Sequence, residues 1–263
     1  MKVCDSLLDE SHVTWREVCR RFAEEKILPN AVAWEEAESF PRELYASAGG
    51  VGIIGTGFPE EVGGSGGDAL HMVMGIEGLL RGGSTGVAVG LGCAGIALPP
   101  IVQTERDDLI DELVRPVLAG VEIAALAVTE PGAGSDVAGI TTRAKRDGDV
   151  YVVNGRKQFI TSGTRADTLT TLVRTGEDRY GGLSFLAIPS SLPGVEVSRS
   201  LKKTGWRASD TAEIGFDGVR VPERFLLGQE GSAFSTLMRN FEGERLALAA
   251  YGAATAQIAF EEA

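Results

Sequence analysis

Apolar positions recur with a helical period at both ends of the chain and with a strand-like pattern between them. In the first part, Val18, Phe22 and Ile27 recur near helical spacing, and Ser11 stands where an N-cap would sit. Pro29 ends or kinks this helix, and Pro41 opens a short one through Leu44 and Tyr45. The glycine-rich stretch Phe58 to Gly67 breaks the pattern, after which Met72, Ile76, Leu79 and Leu80 mark another amphipathic helix. Gly82 to Thr104 carries no charge and is long enough to cross a bilayer. Its repeated glycines and the Pro99-Pro100 pair favour a buried helix instead. An all-helical domain over 1–120 is expected.

From Val121 the pattern changes to short strands. Ile123 to Val128 is apolar and breaks at Pro131. Asp147-Gly148 and Asn154-Gly155 predict hairpins on either side of the β-rich run Val150 to Val153. Leu183 to Ile188, Gly194 to Val197 and Ala212 to Val221 continue the series, predicting an antiparallel barrel or sandwich over 121–228. Beyond Gly228, Leu237, Phe241, Leu248 and Tyr251 share a helical stripe. Residues 229–263 suffice for one long helix or two short ones, the start of a bundle. The fold class expected is α+β multidomain.

Composition narrows the function. With 263 residues, 43% hydrophobic and 24% charged, the chain reads as globular. A net charge of −12 argues against nucleic acid or an anionic membrane as partner. Asp5, Asp9 and Glu10 are unlike a secretory or mitochondrial leader, so a cytoplasmic location is expected. Cys4, Cys19 and Cys93 are too few and scattered for a disulfide framework. His12 and His71 lie far apart along the chain, so no metal centre is expected. Gly90-Leu-Gly-Cys-Ala-Gly95 fits G-x-G-x-x-G, but Pro99-Pro100 interrupts the helix a dinucleotide fold requires, leaving glycine packing as the reading.

Two stretches carry candidate chemistry. Ala127-Val-Thr-Glu-Pro-Gly-Ala-Gly-Ser-Asp136 leads from a strand into a loop whose glycines let backbone N–H groups face an anion or a flat polar ring. A purely structural Pro-Gly turn fits the same residues. Gly155-Arg-Lys-Gln-Phe-Ile-Thr-Ser-Gly163 is the second stretch. With Gly205-Trp-Arg-Ala-Ser-Asp-Thr-Ala-Glu213 and its continuation to Gly228, these resemble, in the same order, the acyl-CoA dehydrogenase family of flavoenzymes.

That resemblance implies FAD held by Leu126, Val128, Thr129, Gly134, Ser135, Phe159 and Thr161, with Ser135 also near the substrate thioester. Phe159 stands where many relatives have Trp; without the family it reads equally well as a core aromatic. The resemblance further implies an acyl-CoA substrate oxidised to the trans-2-enoyl-CoA, an electron-transferring flavoprotein as acceptor, a homo-oligomer, and a fuller C-terminal bundle. An acyl-CoA oxidase, a flavin monooxygenase relative or a non-catalytic partner subunit are the alternatives on the same fold.

For the catalytic base, Leu237, Phe241, Glu244 and Leu248 fall at i, i+4, i+7 and i+11, one helical face. A carboxylate on an apolar stripe has its pKa raised by desolvation, which suits a proton acceptor. An ion pair from Glu244 to Arg245 or Arg239 is the competing reading. Many family members carry the base further downstream; Glu244-Arg245-Leu246 is similar to those that carry it on this helix. Glu242 and Arg245 match substrate-contacting positions of the family.

Overall fold

A computed structural model describes residues 7–263; Cys4 and Asp5 lie outside the described residues. The first helix, α1 (Glu10–Phe22), is capped by Asp9 and not by Ser11. The Asp9 carboxylate accepts from the amides of Ser11 and His12 at 2.8 and 3.2 Å, and the Asp9 amide donates back to His12 Nδ1 at 3.1 Å. A carboxylate accepts more strongly than a hydroxyl and also favours the positive end of the helix dipole, which explains the two-residue shift in the cap. A π-helical turn (Ala23–Ile27) and a 3₁₀ turn containing Pro29 then lead into α2 (Ala31–Ala37) and α3 (Glu43–Val51).

Helix α4 (Ala69–Leu80) repeats the device, with Asp68 as cap and His71 closing the box. Packing of α1 beside α4 brings both N-termini together, so the His12 and His71 rings lie 4.2 Å apart and His12 Nε2 meets Asp68 Oδ1 at 3.1 Å. The expectation that the histidines are remote is thus overturned: they stand 59 positions apart in the chain, but both occupy the third position of adjacent helices. Donor atoms of His12, Asp68 and His71 fall within 4.8 Å of one another. Each Nδ1 faces the amide of its own N-cap residue.

The uncharged segment forms three short helices, not one: α5 (Thr85–Leu91), α6 (Ala94–Ala97) and α7 (Pro99–Val102). Residues Thr85–Val102 meet the length and apolarity of a membrane span, and most of that segment is buried inside the chain. Short helices α8 (Asp107–Leu109) and α9 (Arg115–Leu118) close the helical layer.

The sheet strands are β1 (Ala124–Ala127), β2 (Arg143–Asp147), β3 (Val150–Thr161), β4 (Thr168–Arg174), β5 (Leu183–Pro189), β6 (Val195–Ser200), β7 (Thr211–Pro222) and β8 (Leu226–Leu227). They form one eight-stranded sheet in the order β6-β7-β3-β2-β4-β5-β8, with β1 pairing β4. Most pairings are antiparallel as expected, but β1 runs parallel to β4. Strand β4, absent from the sequence-based series, is buried along nearly its whole length. Its Thr-Leu-Thr-Thr-Leu-Val run is rich in β-branched residues, and threonines satisfied by hydrogen bonds, such as Thr170 Oγ1 to Ala97 O at 2.7 Å, hid an inner strand behind a polar composition.

Asp147-Gly148 does turn the β2–β3 hairpin. Asn154-Gly155 does not: it is a bulge inside β3, where the register against β7 shifts. Gly155 has φ of 152°, and a Cβ there would lie 2.5 Å from Thr142 Oγ1. The glycine therefore answers a close approach instead of a chain reversal.

One 30-residue helix, α10 (Ala233–Glu262), closes the described chain. Its buried side is set by Leu237, Asn240, Tyr251 and Ala254, while Leu248 is 50% exposed and off the expected stripe. Asn240 Nδ2 donates to Ile96 O at 2.9 Å and Tyr251 OH to Ala88 O at 3.1 Å, anchoring α10 on the uncharged segment. Such polar anchors on a buried face are invisible to a purely apolar periodicity.

Candidate active site

The two candidate stretches meet. Val128 to Glu130 runs directly beside Lys157 and Gln158: the Gln158 amide donates to Thr129 O at 2.8 Å, and Lys157 Nζ donates to Val128 O at 2.9 Å. Their union is topological, because β1 continues past its pairing with β4 and crosses beside the far end of β3. Past Glu130, the loop through Gly132, Gly134 and Ser135 is exposed, and a Cβ built on Gly132 or Gly134 would meet no atom within 4 Å. The loop edge is therefore open, with its backbone unobstructed.

Phe159 is the conspicuous member of the second stretch. A further register shift between Lys157 and Ile160 places it in a β-bulge, with φ of 60°. A left-handed backbone at an aromatic residue costs of order 1–3 kcal/mol and persists only where the surroundings impose it. Its effect is to turn the ring outward, leaving it 60% exposed. The core-aromatic reading of Phe159 is excluded by that exposure. Leu126, Thr129 and Thr161 are half-buried and Val128 is buried. Next in the chain, Ser162 is also left-handed (φ 61°), fully buried, and its Oγ has no partner.

Cys93 ties the cradle to the closing helix. Its Sγ donates to Thr161 O at 3.6 Å, and it neighbours the Leu126 backbone and the Glu244 carboxylate. Burial pushes the thiol up to about 12, so it is packing material and not a nucleophile. Glu244, one turn beyond Asn240 on α10, has Oε2 buried without any hydrogen-bond partner. Desolvation raises its pKa and the nearby Arg245 only partly offsets this. No ion pair joins Glu244 to Arg245 or Arg239 among the described residues. Glu242 and Arg245 lie on the exposed side of α10, with the Arg245 guanidinium 5.9 Å from the Phe241 ring.

Sequence reasoning missed the carboxylate that organises the loop. Glu130 is 5% exposed and Lys157 is fully buried, their charges 2.9 Å apart. Burial works to raise the Glu130 pKa, but the Lys157 ammonium and the Thr141 and Thr142 donors outweigh it and hold the carboxyl at about 2. Burial lowers Lys157, with Glu130 opposing. The two residues were quoted within the motifs, yet no periodicity relates positions on different strands. A concavity of about 630 Å³ lies elsewhere, lined by Glu10, Trp15, Thr56, Ser65 and His71.

An open glycine edge, a ring presented outward and two half-buried hydroxyl-bearing residues fit a flat aromatic cofactor such as a flavin. A helical layer, a central sheet carrying that cradle, and a closing helix carrying an orphan acid define the class, the acyl-CoA dehydrogenase fold. Residues 9–121 match the family description "Acyl-CoA dehydrogenase, N-terminal domain", and residues 125–219 match "Acyl-CoA dehydrogenase, middle domain". The mouse (Mus musculus) long-chain specific acyl-CoA dehydrogenase, mitochondrial, is 34% identical over 97% of this chain and 60% of its own length.

Among solved structures, a probable acyl-CoA dehydrogenase from Mycobacterium abscessus is 52% identical with a TM-score of 0.93, covering 95% of this chain and 66% of that one. The acyl-CoA dehydrogenase from Geobacillus kaustophilus is 35% identical with a TM-score of 0.91, covering 97% and 67%. The chain belongs to the acyl-CoA dehydrogenase family. It spans about 60% of the length of the curated relatives it matches.

Proposed function

We propose that this chain is the cofactor- and substrate-binding part of an FAD-dependent acyl-CoA dehydrogenase, converting an acyl-CoA thioester to its trans-2-enoyl-CoA. The observation that carries the reading is the orphan carboxylate of Glu244, held out of water on the helix that closes beside the Thr161–Phe159 strand. Bound FAD supplies the two-electron acceptor. The chain's own residues do the rest. Leu126, Val128, Thr129, Gly134, Ser135, Phe159 and Thr161 would hold the FAD ring system. Ser135 reaches toward the thioester, and Glu242 and Arg245 sit at the outer edge of α10 for the substrate's polar portion. Glu244 takes the α-proton at Oε2. Desolvation raises its affinity for that proton, and the absence of a competing donor leaves the lone pair free.

The reading divides the chain into a helical part over 1–120, a flavin-binding β part over 121–228 and the beginning of a C-terminal helical part over 229–263. It includes an electron-transferring flavoprotein as acceptor and a homo-oligomeric assembly. Free buried thiols at Cys19 and Cys93 suit a reducing cytoplasm. The test is the visible spectrum of the full-length protein, followed anaerobically against a panel of acyl-CoA thioesters. Bleaching of the flavin band by at least one thioester is expected. A protein that binds FAD yet reduces only molecular oxygen would move the assignment to an acyl-CoA oxidase, and one that cannot bind FAD would make it a non-catalytic subunit.

A further inference from the structure

We propose that the buried Glu130–Lys157 pair is a positioning device that fixes the distance between the glycine loop and the bulged strand, and so sets the fit of the flavin ring; this rests on the flavin reading above. Every acceptor site of the Glu130 carboxylate is used. Oε2 accepts from the Thr141 amide at 2.7 Å and the Thr141 hydroxyl at 2.8 Å. Oε1 accepts from the Thr142 amide at 2.9 Å and from Lys157 Nζ at 2.9 Å. One side chain thereby joins the two ends of the loop 130–142 and pins both to β3.

Lys157 completes the clamp from the other strand. Its second bond, to Val128 O, reaches the residue before Thr129, while Gln158, its successor, bonds Thr129 O. The clamp thus sits one residue from Thr129 on one side and two residues from Phe159 on the other. Between its anchor points the loop tip at Gly132, Gly134 and Ser135 is exposed, while the loop is also held by the paired backbones of Glu130 and Ala133, by the buried Val137 and Ile140, by Arg174, which donates to Ala138 O at 2.8 Å and Ile140 O at 3.1 Å, and by the solvent-exposed ion pair of Arg179 with Asp136. A surface pair of that kind restrains little. Of these restraints the clamp is the one whose side-chain bonds run to Lys157 on β3, and so it ties the loop bearing Gly134 and Ser135 to the strand bearing Phe159.

Cohesion requires acceptors for the Thr141 and Thr142 amides but not the ion pair as such. A buried ion pair can be replaced by apolar residues of similar volume without loss of stability, provided no group is left unpaired. Here apolar replacements would leave the amides of Thr141 and the fully buried Thr142 without acceptors. What the pair adds is direction: a charged acceptor and donor whose bonds are short, and whose geometry two strands must share.

The experiment uses the full-length protein as wild type, Lys157→Met, Glu130→Gln, the double variant, and Thr141→Val. FAD dissociation constants are read by flavin fluorescence, and melting temperature is measured on each apoprotein. The single changes at the pair should weaken FAD about tenfold or more. In the double variant the melting temperature should recover toward wild type while FAD affinity does not. Thr141→Val, at an exposed position, keeps the backbone bond to Glu130 and removes only the hydroxyl's, and should weaken FAD about threefold with a melting temperature closer to wild type than that of either single pair variant.

FAD affinity that tracks melting temperature across the set would make the pair merely structural and overturn the proposal, as would unchanged affinity in Thr141→Val. If neither pair variant folds, Thr141→Val decides alone. Wild-type protein that fails to bind FAD would instead overturn the flavin reading, and this proposal with it.

Discussion

Glu130 and Glu244 are both withdrawn from water within the same region of the molecule, yet their surroundings are opposite. Glu130 accepts four hydrogen bonds and faces a buried ammonium, and its pKa is held low. Glu244 has its buried Oε2 without a donor among the described residues, and its pKa is pushed up. A saturated carboxylate cannot take a proton without giving up bonds, so it serves as a strut. An unsaturated one gains by taking a proton, so it is suited to be a base.

The contrast breaks most sharply on turnover. Glu244→Gln should lower flavin reduction by acyl-CoA about a hundred- to ten-thousandfold with FAD binding kept, because only the proton acceptor is removed. Stopped-flow reduction of the FAD-loaded full-length protein checks this. Stability should show the reverse order. Lys157→Met leaves Glu130 charged and unpaired and should cost about 3–5 kcal/mol in chemical denaturation, whereas Glu244→Gln should cost nothing or stabilise, since it removes an unpaired buried charge.

The pH dependence of stability separates the two acids by sign. Glu130 has its folded pKa depressed to about 2, so its contribution is present above the ordinary carboxylate pKa and is lost as pH falls from there through about 2. Glu244 has its folded pKa raised, so the folded state binds the extra proton and stability falls as pH rises from the ordinary carboxylate value through the raised one. Each slope reaches at most about 1.4 kcal/mol per pH unit. Denaturant midpoints in Glu244→Gln should lose the second slope and keep the first.

The smallest effect belongs to Phe159. Phe159→Ala should change stability by less than about 0.5 kcal/mol, its ring being largely exposed. It should weaken FAD by roughly 0.5–1.5 kcal/mol, the worth of one aromatic contact, as read by fluorescence titration.

Much of this architecture was legible because periodicity reports faces. The change from helical spacing to strands near Val121, the return after Gly228 and the inward placing of Leu237 and Phe241 on the closing helix all follow from it. What was not legible depends on partners. Strand β4 looked polar because its threonines find acceptors only after folding. Asn154-Gly155 looked like a turn because a bulge and a turn ask the same freedom of glycine. Leu248 was placed inward by counting, while Asn240 and Tyr251 hold the buried side through polar bonds. His12 with His71, and Glu130 with Lys157, meet only because separate elements pack side by side.

The most direct measurement is a crystal structure of the full-length protein with FAD and a non-reactive thioester analogue. The isoalloxazine should lie between the Thr129–Ser135 loop and the Phe159 ring, with the analogue's α-carbon about 3–3.5 Å from a Glu244 carboxylate oxygen. A ring bound away from those strands, or a Glu244 side chain turned into bulk solvent, would contradict the account.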